Sequence, residues 1–174
     1  MDHPAPTICS GPPGDFQPKE IDDFIAFVLA GGEVTGNGLK DRVMQAPCIS
    51  YLRVNGCLLG VAGLKSPEPG YRKGVSANSK TKLTEDLFPY ELGWVFILPS
   101  ARERKLSFPL CQPLITAAKH AGVFATSRTT LGGMHRTLEK LGFARTGSEW
   151  PSKQNDGNLA LFIKSPPKLT ASES

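Results

Sequence analysis

The residues from Glu91 to Ser107 hold the most chemistry in the chain. An apolar run, Leu92-Gly93-Trp94-Val95-Phe96-Ile97-Leu98, leads into Pro99 and then into Arg102-Glu103-Arg104-Lys105; beyond it Leu106, Leu110, Leu114 and Ala118 recur every four residues. The pattern describes a buried strand entering a short basic loop that opens a helix. Backbone N–H groups of a first helical turn and the helix dipole together attract anions. Basic side chains at a helix start oppose that dipole, so an anion seated among them relieves a cost, and Arg102, Arg104 and Lys105 suit a diphosphate. A basic helix start exposed to solvent is the plainer reading of the same residues.

The surrounding elements are legible by their punctuation. Thr7-Ile8-Cys9 can form a short first strand. Pro18 suits a first helical turn, and Ile21, Phe24, Ile25 and Val28 follow at helical spacing until Gly31-Gly32. A shorter helix includes Leu39 and Val43. Cys48 to Val54, Asn55-Gly56 and Cys57 to Leu64 form the clearest hairpin, because Asn-Gly supplies the positive φ angles of a tight primed turn. Residues 66–87 read as a long polar insertion without periodicity, before a strand from Tyr90 to Leu98. In the next helix Pro109 fits the first turn, whereas Pro113 should kink the interior. Val123 to Thr126 reads as a strand, and Met134, Leu138 and Leu141 as the buried face of a helix closed by Gly142. Two strands, Phe143 to Trp150 and Asn158 to Ile163, finish an order of β-α-α-β-β-β-α-β-α-β-β, a mixed α/β chain.

With 174 residues, 40% hydrophobic and 21% charged, the chain fits one globular domain, taken as residues 1–165 with a polar tail at 166–174 expected to fray. No apolar run approaches the roughly 20 residues of a membrane span, and Met1-Asp2-His3-Pro4 does not begin a secretory signal. Cys9, Cys48, Cys57 and Cys111 form no CxxC pair, which argues against a zinc site or disulfide framework and fits reduced thiols in a cytoplasm. The net charge of +4 is compatible with an anionic cofactor and too weak to name nucleic acid.

The stretch from Ile97 to Ser107 resembles the signature of the Gcn5-related acetyltransferases. In that family a strand ends in a hydrophobic residue, one spacer and Pro, followed by Arg/Gln-x-x-Gly-x-Gly/Ala. Ile97, Pro99, Arg102, Lys105, Leu106 and Ser107 stand in those places. Leu138-Glu139-Lys140-Leu141-Gly142-Phe143 is similar to the family's Tyr-Glu-Lys-Leu-Gly-Phe helix end. The resemblance implies the acyl-CoA N-acyltransferase fold, a V-shaped split sheet of about seven strands with about four helices. It also implies acetyl-CoA as co-substrate, with no metal. The diphosphate site falls on Arg102, Glu103, Arg104, Lys105, Leu106 and Ser107, and main-chain contacts to thioester and pantetheine fall on Val95, Phe96 and Ile97. Two departures stand out. Lys105 and Ser107 replace phosphate-loop glycines, so Lys105 must adopt a backbone geometry that Gly takes freely. Leu138 replaces the tyrosine that commonly protonates the departing thiolate, leaving water, His135 or Tyr90 as substitutes.

The resemblance further places Glu91, six residues before Ile97, where some members carry a carboxylate general base. An amine must lose a proton before attacking a thioester, and a desolvated carboxylate can take it directly or through water. The alternative is a strand-end carboxylate paired with a nearby Lys or Arg. The function implied is acetyl transfer to an amine acceptor by direct attack in a ternary complex. The acceptor is open among small molecules, peptides and nucleic acid, and a homodimer is left open. Lys65, Arg72, Lys73, Lys80 and Lys82 lie in or beside residues 66–87, which make either a lid for an anionic acceptor or a solvated loop, with Tyr71 able to stack on a ring. The rivals are a nucleic-acid- or tRNA-directed member of the fold and a non-catalytic coenzyme-binding module.

Overall fold

Asn55 and Gly56 take φ angles of 50° and 78°, so the primed turn expected of this dipeptide joins β2 (Cys48–Val54) to β3 (Cys57–Lys65). This hairpin is the centre of the first half of the molecule. In the computed structural model, residues 3–168 are described, so residues 169–174 of the expected tail lie outside them. The remaining strands are β1 (Thr7–Gly11), β4 (Tyr90–Ile97), β5 (Val123–Arg128), β6 (Ala144–Pro151) and β7 (Asn158–Lys164). Together they form one mixed sheet in the order β1-β2-β3-β4-β5-β7-β6.

Helices cover both faces. On one face lie α1 (Pro18–Ala30) and α2 (Leu39–Met44), whose Ile21, Phe24, Val28, Leu39 and Val43 pack on Ile49, Tyr51, Val61 and Trp94. On the other face lie α4 (Ser107–Ala117) and α5 (Gly132–Lys140). There Leu110, Leu114 and Leu138 pack on Leu52, Leu64, Leu92, Ala125 and Phe162. The expected α4 is present and runs on through Pro113.

One expectation is corrected. Residues 66–87 are not an unpatterned insertion: Pro69–Ser79 form α3, which makes five α-helices among the described residues. The helix escapes notice because its buried face, Arg72, Val75 and Ser79, has one apolar member, and Gly70 and Gly74 weaken its propensity. Pro69 starts it, and the buried Arg72 guanidinium anchors it by donating to Pro89 O at 3.2 Å.

The feature that positions the site is the parting of two strands. β4 and β5 run parallel and pair only at Tyr90↔Val123 and Glu91↔Phe124. Beyond Glu91, β4 stays with β3 as far as Gly60↔Ile97, while β5 follows β7 as far as Arg128↔Leu159. The sheet therefore splits into a V with Glu91 at its apex. A bulge sharpens the split: Val61 faces Phe96 and Gly63 faces Gly93, so Trp94 and Val95 together oppose Ala62. Trp94 takes φ 54° to make it. In consequence Leu92, Val95 and Ile97 pack with α4, whereas Trp94 and Phe96 turn toward α1.

Candidate active site

Glu91 is 3% exposed, so its carboxylate must be compensated from within the protein. Tyr71, on the first turn of α3, donates its hydroxyl to Glu91 Oε1 at 2.9 Å. Lys65, the last residue of β3 and the register partner of Glu91, brings its ammonium within 3.1 Å of Oε2. That contact is ionic and poorly aligned, because Oε2 has no hydrogen-bond partner among the described residues. The Lys65 Nζ also lies 5.0 Å from the Trp94 ring centroid and 5.5 Å from that of Tyr71, a cation held between two π faces. Tyr71 is partly solvent-exposed as a residue, yet its hydroxyl is turned inward. Burial first, and then the Glu91 charge, push its phenol well above the ordinary value near 10.

Two glycines make room for this cluster. A Cβ on Gly63 would stand 2.5 Å from Trp94 Cε3, and one on Gly93 would stand 2.8 Å from Lys65 Cδ and 3.5 Å from its Nζ. The indole therefore lies on the backbone of β3, and the lysine chain lies along the backbone of β4 just before the bulge. The buried Nε1 of Trp94 also lacks a hydrogen-bond partner among the described residues.

At the other end of β4 the chemistry belongs to the main chain. Leu98 N–H donates to Leu59 O. Because backbone groups alternate along a strand, those of Ile97 and Val95 turn toward the split and those of Phe96 toward β3. After a 3-10 turn at Pro99–Ala101, Glu103 and Lys105 take φ angles of 68° and 57°, and Leu106 returns to right-handed geometry. Left- and right-handed residues in succession turn consecutive N–H groups into one concavity, an anion nest. It opens onto the start of α4, which no side chain caps. Lys105 thus holds the conformation required where the family pattern has Gly. The residues present fit a diphosphate.

The basic side chains are less uniform than the sequence suggests. Arg102 folds back, its Nε donating to Ile97 O at 3.0 Å and its guanidinium lying 5.5 Å from the Phe96 ring. Arg104 is half-buried, and Lys105 and Glu103 are exposed. The Ser107 hydroxyl shares a 2.6 Å hydrogen bond with Thr137, tying α4 to α5. Leu138 is fully buried against α4 and brings no proton donor. His135 is engaged structurally, with Nε2 2.8 Å from Arg128 O and its ring 4.9 Å from Phe162. Among the described residues no group of three or more His, Cys, Asp or Glu could hold a metal ion, and no helix is long and apolar enough to cross a membrane.

The sequence singled out Glu91 and the loop but not the contacts that Lys65 and Tyr71 make with Glu91. Of the two alternatives for Glu91, the ion pair is present, with Lys65, and the paired carboxylate stands at the apex of the split. The basic stretch from Lys65 onward is not a continuous outward surface, since Lys65 and Arg72 turn inward. Only the register Lys65↔Glu91 could have revealed the cluster, and the chain between those two residues hides it.

No family model matches the sequence, and no curated protein matches it. Solved structures do. ElaA from Escherichia coli superposes with a TM-score of 0.66 at 14% identity, covering 92% of this chain and 99% of that one. The ribosomal-protein-S18-alanine N-acetyltransferase from Escherichia coli gives 0.64 at 13%, covering 98% and 99%. The protein yncA from Salmonella typhimurium, solved with its cofactor acetyl-CoA, gives 0.62 at 16%, covering 98% and 99%. At such identities the likeness speaks for the fold alone. The chain has the fold of the Gcn5-related N-acetyltransferases.

Proposed function

We propose that the chain is an N-acyltransferase that moves an acetyl group from acetyl-CoA to an amine by direct attack in a ternary complex. The observation that carries the reading is the carboxylate of Glu91, buried at the point where β4 and β5 part. Acetyl-CoA supplies an activated acyl group as a thioester. The N–H groups of the 102–107 loop and the start of α4 bind its diphosphate, assisted by Arg104. The backbone of Val95 and Ile97 lies along the open edge, where a fixed N–H stabilises an oxyanion without reorganising. Glu91 accepts the proton that the amine must lose, and Tyr71 fixes the carboxylate for that task.

The acceptor is an amine. Because one structure of this fold is a ribosomal-protein-S18-alanine N-acetyltransferase, peptide amines are the first to screen, with polyamines and aminoglycosides after them. A non-catalytic coenzyme-binding module is the second reading, favoured by Leu138 standing where a proton donor is commonly found.

Ligand binding to the folded state alone raises the melting temperature by mass action. Acetyl-CoA is expected to do so, and reversal of Arg102 and Arg104 to Glu to remove the shift while leaving unliganded stability nearly unchanged. An unaltered shift in the double variant would put the coenzyme elsewhere. Binding without transfer to any amine would select the second reading.

A further inference from the structure

The position that an incoming ammonium would take is already held by one. A cationic acceptor at this site would stand beside the Glu91 carboxylate and against the aromatic faces, next to the strand edge that bears the thioester. Lys65 Nζ meets the first two conditions, at 3.1 Å from Oε2, 5.0 Å from the Trp94 ring and 5.5 Å from the Tyr71 ring. It meets the third through its path: the side chain runs along Gly93, and Nζ lies 3.5 Å from where a Gly93 Cβ would be. Trp94 and Val95, the bulge on the open edge, follow directly. The lysine side chain is 18% exposed, so it reaches the cleft from inside the protein rather than from its surface.

We propose that Lys65 is itself an acyl acceptor, and that the protein acetylates its own ε-amine from bound acetyl-CoA. The inference rests on the acyltransferase reading. In the step, Lys65 passes one ammonium proton to Glu91, and its lone pair forms an N–C bond to the thioester carbonyl carbon. The C–S bond then breaks, and the second proton leaves the nitrogen with the coenzyme A thiolate, which departs as the thiol. Lysine ammonium, glutamate carboxylate and thioester become acetamide, carboxylic acid and thiol. No oxidant or further reactant enters. The charge balance favours the step, because the ion pair disappears as a unit. Glu91 is left holding a proton rather than an unpaired buried charge, which would be strongly destabilising.

The readout is the mass of the chain itself. The whole protein is incubated with isotope-labelled acetyl-CoA, and the label at each lysine is followed by peptide mass spectrometry. Lys19 and Lys40, whose side chains are 88% and 66% exposed, report background acetylation by the thioester in solution. Lys65 is expected to label at least about 10²-fold faster than either, the lower value for a positioned base, at a rate independent of protein concentration. Glu91→Gln should slow Lys65 and leave Lys19 and Lys40 unchanged. If that variant fails to fold, the wild-type ratio still decides. Melting curves with acetyl-CoA accompany the labelling. A thermal shift with Lys65 labelling no faster than Lys19 overturns the inference and leaves the acyltransferase reading standing. The absence of both shift and label removes the two together.

Discussion

At one end of β4 the loop from Arg102 to Lys105 offers folded backbone, with left-handed residues and an uncapped helix start, while its side chains point variously inward, backward and into solvent. At the other end almost nothing depends on backbone groups. A carboxylate, a phenol, an ammonium and an indole are held at fixed distances by packing over two glycines. The first region requires a conformation, which many sequences can supply. The second requires particular atoms. That is why Lys105 can stand where the family pattern has glycine, whereas no such latitude is expected around Glu91.

The sharpest way to break this comparison is Glu91→Gln, which keeps shape and removes the proton acceptor. Acetyl-CoA binding should persist, and turnover of an external amine should fall by about 10²–10⁴-fold. Part of the loss should return as pH rises and more of the amine arrives neutral. Steady-state rates from acid to alkaline buffers provide the check, and a wild-type rate throughout would make Glu91 an ion-pair member only.

Next in size is a pair of methyl groups. Gly63→Ala places its Cβ against the buried ring of Trp94, which cannot yield cheaply, so a loss of about 1–3 kcal/mol is expected. Gly93→Ala presses only on the flexible chain of Lys65. It should cost far less stability while displacing the ammonium from Glu91. Urea midpoints rank the two, and equal losses would mean that both glycines support the fold alone.

A smaller effect belongs to Tyr71. Its phenol is held above the ordinary value near 10, so above that pH the unfolded chain binds fewer protons than the folded one. Stability therefore falls as pH rises further. Tyr71→Phe should flatten this alkaline decline, as measured by urea midpoints across alkaline buffers; an identical slope in both proteins would show that the phenol is not confined. The smallest effect is Lys105→Gly, which relieves left-handed strain of about 1–2 kcal/mol but gives back part of it as unfolded-chain entropy. A net gain of about 0.5–1 kcal/mol is expected, with coenzyme binding intact.

How much of this could be read in advance follows from the same division. The strand, Pro99 and the basic loop are contiguous, so their pattern survives in one dimension. The hairpin declared itself through Asn55-Gly56, and the buried helix faces through their spacing. The Lys65–Tyr71–Glu91–Trp94 cluster spans three elements, and its key pairing depends on the register between β3 and β4. The intervening segment carries one apolar core residue on its helix, Val75, and gave no sign of order. The position of Glu91 six residues before Ile97 is legible in one dimension, whereas Lys65 and Tyr71 are joined to it only by the fold.

The chain has two tryptophans, Trp94 and Trp150, and among the described residues a lysine ammonium stands over the ring of Trp94 alone of the two, at 5.0 Å. A point charge so near an indole perturbs the energy of its excited state. Fluorescence from Trp94 should therefore register whether the lysine beside it is charged, neutral or displaced. With Trp150 replaced by Phe, the emission would come from a single chromophore beside Glu91, where β4 and β5 part. The bulge that turns Trp94 toward α1 thus gives the protein an internal optical gauge, through which occupancy of the cleft can be followed without a label.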